Sequence, residues 1–187
     1  MIKSNNIISR DMLDILRACK GRKVETLLLT EQDCKTSFEV VILRFKEYDL
    51  EIWSLEQPYK EGEIEDLASV IVKINPDKNT KSTLGTNDKK GVFHFREFTR
   101  VPIGKTVKSI TVHNELVQWT YEDESFILDN TYAIVISLGK RFLHLTKSSE
   151  WSEIWDVSFH RTSIQKAPEW DESEGDKYEV SHSVVEV

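Results

Sequence analysis

The sequence predicts a mainly β fold, made α+β by a single N-terminal helix, and three observations carry that prediction. Apolar residues fall in short runs rich in Val, Ile, Leu, Phe, Tyr, Trp and Thr, bounded by polar turns. Helical spacing of apolar residues is clear once, near the N-terminus. The strand-like runs also recur in the same order in two halves of the chain.

The helix comes first. Ser9 or Asp11 can cap it, and Met12, Leu13, Ile15, Leu16 and Cys19 fall on one helical face. Lys20 sits in the last turn and Gly21 just beyond it, where a left-handed residue ends a helix. The helix is amphipathic and is expected to cover one end or face of a sheet.

The first half then opens with Gly21-Arg22-Lys23-Val24-Glu25-Thr26-Leu27-Leu28-Leu29, and the second with Gly104-Lys105-Thr106-Val107-Lys108-Ser109-Ile110-Thr111-Val112. Each is glycine, basic residue, any residue, valine, charged residue, hydroxyl, apolar run. Phe38–Leu43 corresponds to Tyr132–Leu138, Asp49–Ser54 to Phe142–Thr146, and Leu67–Val72 to Ile154–Phe159. Four strands in one order suggest a degenerate tandem duplication. Val40–Leu43 is continuously apolar and suits a central strand covered on both faces. Lys46–Asp49 and Leu138–Arg141 read as tight hairpins, with Gly139 supplying a positive φ. Phe93–Phe98 alternates like a further strand. Shorter helices are expected at Gly62–Leu67 and Ser149–Trp155.

The division that follows is a helix and first β-rich half over residues 1–74, a linker or long loop over 75–91, a second β-rich half over 92–166, and an acidic flexible tail over 167–187. Whether the halves form one domain or two stays open.

The chain of 187 residues has a net charge of −7, unevenly placed. Residues 73–108 carry a net +6 and residues 169–187 a net −6. Such segments are either solvated chain or an electrostatic address for a partner. No apolar run approaches the length of a membrane span, so no membrane contact is expected. Met1 is followed by Ile2-Lys3-Ser4-Asn5-Asn6, which is not a signal sequence, and a cytoplasmic protein is expected. Two cysteines, Cys19 and Cys34, make no disulfide framework. Cys19 reads as a buried small hydrophobe. Cys34 lies between Asp33 and Lys35 with no histidine near it in sequence.

No phosphate loop, dinucleotide fingerprint, zinc-protease helix, paired-cysteine motif, nucleophile elbow or calcium loop occurs. No catalytic residue, cofactor or metal ligand is therefore assigned, and an enzyme is the less expected outcome. Glu61, Glu63, Glu65 and Asp66, and Glu122, Asp123 and Glu124, read as charged turns that keep strand edges from pairing.

The expected function is a non-enzymatic protein-binding module, in the style of an inhibitor or immunity-type partner of another protein. The residues assigned to partner binding are Trp53, Lys89, Lys90, Phe93, His94, Arg96 and Arg100. Trp53 alternates with Leu50 and Ile52, so it should face away from them, outward, as an anchor. Two alternatives stand beside this. One is a nucleic-acid-binding module using residues 89–108, where cations interleave with Phe93, Phe95 and Phe98. The other is a small metal-dependent enzyme that brings together His113, His144 and His160, all on strands of the second half.

Overall fold

A computed structural model describes residues 1–30, 37–38, 40–56, 64, 67–78, 81–86, 89–94, 98–121, 123–147, 155–167, 170 and 178–187. Among the described residues it is mainly β, with one helix and two large antiparallel sheets.

The helix α1 spans Arg10–Ala18. Of the two caps the sequence offers, Ser9 is the one used, accepting a hydrogen bond from the Met12 N–H at 3.3 Å, with Asp11 in the first turn. Leu16 and Cys19 are buried and Met12, Leu13 and Ile15 pack beside them, so the apolar stripe drives the helix onto the core.

One sheet is a meander of β2 (Lys23–Thr30), β4 (Val40–Arg44), β5 (Asp49–Glu56) and β6 (Ala68–Asn75). The strand β9 (Phe98–Thr106) lies outside β2. The other is a meander of β10 (Ser109–Tyr121), β11 (Glu124–Ser137), β12 (Phe142–Lys147) and β13 (Trp155–His160). The strand β14 (Glu179–Glu186) lies outside β10. Two strands extend the second sheet. The strand β1 (Ile2–Asn6) runs parallel to the first half of β11, and β3 (Ser37–Phe38) pairs with β13.

Both sheets therefore share one order: a fifth strand, then the four strands of a meander. The two glycine motifs also meet. Gly21 N–H donates to Val107 C=O at 2.9 Å, Val107 N–H donates to Arg22 C=O at 2.9 Å, and Lys23 lies opposite Thr106. Lys23 and Thr106 are equivalent positions in the repeated pattern, so the contact has a local two-fold character. Both glycines have positive φ, +82° and +60°. Topology alone does not establish common descent, because consecutive antiparallel strands form meanders by default.

The main core joins the sheets. Leu27, Leu43, Ile52 and Val72 from one face pack with Ile110, Ile134, Leu145 and Trp155 from the other. Val40–Leu43 is buried on both faces, as its continuous apolar run predicts. Trp53 does point away from Leu50 and Ile52. It is buried, however, against Leu28, Val40 and Ile42, so the expectation of an outward anchor is corrected. The signal misled because this sheet is apolar on both faces.

Two boundaries also differ. Residues 75–91, expected as a linker, include the end of β6 and most of a hairpin of β7 (Lys81–Thr86) and β8 (Lys89–His94). The acidic tail is not all free chain. Residues 179–186 pair with β10 along their whole length, and Val187 is buried. The alternation of Val180, His182 and Val184 against Ser181, Ser183 and Val185 is a strand pattern that the acidic composition upstream obscures. The helices expected at Gly62–Leu67 and Ser149–Trp155 fall mostly outside the described residues. Trp155 itself begins β13.

Candidate functional site

The long hairpin β10–β11 runs beyond the end of β12, and its far end gathers aromatic side chains. Trp119 lies opposite Phe126 in register, and their rings stack at 5.1 Å and 11°. Trp170 and Tyr178 join from the chain leading into β14, with ring centroids 6.3 and 6.0 Å from Trp119 and 5.5 Å from each other. Beneath them sit buried Leu67, Val117 and Leu128. All four aromatics are partly exposed, and Tyr121, at the tip of the hairpin, is 52% exposed. Asp123, Glu124 and Glu179 are exposed around the same end.

A buried polar chain fixes this cluster from below. The Trp170 indole N–H donates to Glu115 Oε2 at 3.2 Å. Asn130 Nδ2–H donates to Glu115 Oε1 at 3.1 Å. Lys147 Nζ donates to Asn130 Oδ1 at 3.3 Å and also to the Ala68 carbonyl of β6. Glu115, Asn130 and Lys147 are each at most 1% exposed. The Asn130 amide thus sits between a carboxylate and an ammonium, its N–H toward the negative group and its C=O toward the positive one. That orientation is the favourable one in a medium of low dielectric. Asn130 can hold it because it lies opposite Glu115 on one side and Asn6 of β1 on the other.

The pairing of β10 with β11 slips at this point. His113 opposes Ala133 and Asn114 opposes Thr131, so Tyr132 is an extra residue, a β-bulge. Its ring lies 6.0 Å from His113 and 5.9 Å from His182. Burial, and then the Glu115 carboxylate, push the Tyr132 phenol up.

The three histidines occupy β10, β12 and the end of β13. The His144 and His160 rings lie 4.5 Å apart, tilted at 59°. His144 is clamped by Gln165 Oε1 at 2.8 Å and the Thr162 carbonyl at 3.0 Å, and His160 Nε2 lies 2.8 Å from Ser158 Oγ. His113 is two strands from His144, about 10 Å by strand spacing, and its Nε2 lies 3.2 Å from Thr111 Oγ1. Three imidazoles sharing one metal need nitrogen contacts of about 2 Å each. Among the described residues no group of three or more His, Cys, Asp or Glu is arranged to hold a metal ion. Burial, and then the positive charge His144 can carry, hold His113 below the usual imidazole range.

Of the residues assigned to partner binding from sequence, Trp53 is buried and Arg100 is exposed on β9. Lys89, Lys90, Phe93 and His94 lie on β8, and their side chains fall outside the described residues, as does Arg96. None of the described ones joins the aromatic end. The sequence pattern did not bring Trp119 and Tyr121 together with Phe126, Trp170 and Tyr178. The missing signal was the length of the hairpin: Glu124–Asn130 carries Glu, Ser, Asp and Asn and so does not read as strand.

No family model, no curated protein and no solved structure matches this chain. Among the described residues, no helix is long and apolar enough to cross a membrane.

Proposed function

We propose that this chain is a non-enzymatic protein-binding module whose contact surface is the aromatic end of the β10–β11 hairpin. The observation that carries the reading is the cluster of Trp119, Phe126, Trp170 and Tyr178, partly exposed and tied down through Glu115. Trp and Tyr are enriched among the residues that dominate binding energy at protein interfaces. Rings held in place before binding lose less conformational freedom on binding, which raises affinity. The exposed carboxylates of Asp123, Glu124 and Glu179 around the cluster favour a partner with a basic rim. A module of this kind acts by occupying its partner's surface, which is how an inhibitor or immunity-type protein works.

The test is affinity capture with the wild-type protein and with Tyr121→Asp, each with and without nuclease. One protein species retained by the wild type, lost with Tyr121→Asp and indifferent to nuclease supports the reading. Capture that disappears with nuclease moves the function to nucleic acid.

A further inference from the structure

The opposite end of β11 carries a second feature. A cleft of about 680 Å³ opens between β9 and the turn joining β11 to β12. That volume lies within the range of small-molecule sites, roughly 300–1,000 Å³. It is far from the aromatic cluster: Phe126 to Ser137 is eleven residues of one strand, about 36 Å.

Its walls are apolar. Val101 and Ile103 come from β9, Leu138 from the turn after β11, and Phe159 from β13. Phe159 keeps 38% of its surface exposed, a large aromatic left uncovered in a concave wall. Lys105, Lys140 and Arg141 also line it, all three exposed. Among the described residues no carboxylate belongs to the lining and none of these cations is in an ion pair. The turn is held by the Leu138 N–H donating to the Arg141 carbonyl at 2.8 Å, which carries Lys140 and Arg141 on a closed loop. Gly139 in that turn has φ +86° and open space where a side chain would stand. The mouth is therefore not narrowed at that point.

We propose that this cleft binds a small amphipathic organic anion, a free medium-chain carboxylate. The apolar walls suit an aliphatic chain, and the three cations of the lining suit an anionic head group. An extended peptide fits less well. β9 is the end strand of its sheet, but Pro102 in its middle has no N–H to offer an added strand. A nucleic-acid strand fits less well too, because it calls for successive stacking faces and, among the described residues, Phe159 is the one aromatic of the lining. The site goes beyond the protein-binding reading and does not rest on it.

The test is calorimetric titration of the full chain with sodium decanoate below its micelle concentration, with decanol as the uncharged control. Two variants accompany it: the triple Lys105→Glu, Lys140→Glu, Arg141→Glu and the single Phe159→Ser. Circular dichroism confirms that both remain folded. Saturable 1:1 binding of decanoate is expected, at least tenfold tighter than decanol and weakened at least tenfold in each variant. Equal binding of decanol and decanoate overturns the role of the cations. No saturable binding to the folded wild type overturns the site. Flotation with phosphatidylserine vesicles is the second arm. Vesicle binding that the triple variant loses, with no decanoate binding, would assign the cations to a lipid surface instead and overturn the proposal.

Discussion

Trp170 donates its indole N–H to the carboxylate of Glu115, which lies 55 residues earlier and is almost wholly buried. The bond ties the chain entering β14 to the middle of β10. Through Asn130 and Lys147 the same line of contacts reaches the carbonyl of Ala68 in the other sheet. The aromatic end is thus anchored to both layers of the sandwich.

Glu115→Gln should destabilise the fold by about 1–3 kcal/mol, because the buried carboxylate accepts from both Asn130 and Trp170, and an amide in its place turns one acceptor into a donor facing a donor. Chemical denaturation reads this directly. No measurable loss would mean that the two bonds to Glu115 contribute nothing to stability.

Truncation after residue 178 should lower the melting temperature by roughly 6–12 °C. It uncovers β10 and removes Val185 and Val187 from the core. Two such side chains contribute about 3 kcal/mol, and each kcal/mol moves a domain of this size by about 2–4 °C. An unchanged melting temperature would show that β14 is not a structural strand.

His113 sets a pH dependence. Its folded pKa lies below its ordinary value of 6.5, so the unfolded chain binds the proton more readily. Stability is then full above about pH 6.5 and falls as pH drops from there through the folded pKa. His144 and Tyr132 are its titratable neighbours, and Tyr132 in turn meets His182. His113→Gln should flatten the fall between about pH 6.5 and 5, measured by denaturation at a series of pH values. The same slope in both proteins would assign it to other groups.

Cys19 is fully buried beside Tyr48, with Sγ 3.5 Å from the phenol oxygen, and burial pushes its thiol up. It should resist a thiol reagent in the folded protein and react on unfolding. Mass-resolved labelling with and without denaturant checks this. Rapid modification of Cys19 in the native protein would contradict its burial.

The parts of the fold that were legible in the sequence are those where local pattern and tertiary role agree. Ser9 caps α1, Val40–Leu43 is a central strand, and Gly139 turns β11 into β12, each by a local rule. The rest depended on distant pairing. Ile2–Asn6 is polar and becomes a strand only because β11 runs past β12 and leaves an edge open. The valines of β14 lie behind an acidic stretch. Trp53 alternates correctly, but alternation cannot say whether the second face of a sheet is wet. The aromatic cluster joins positions 119, 126, 170 and 178, and no short window contains them.

The most direct test of the central claim is site-specific photo-crosslinking from the aromatic end. A photoreactive amino acid replaces Tyr121 in one protein and Ile164, which is also exposed, in another. The account predicts one discrete crosslinked protein from position 121, none from position 164, and loss of the product when Trp119→Ala is added to a chain that still folds. Equal crosslinking from both positions, or a product that persists with Trp119→Ala, would contradict it.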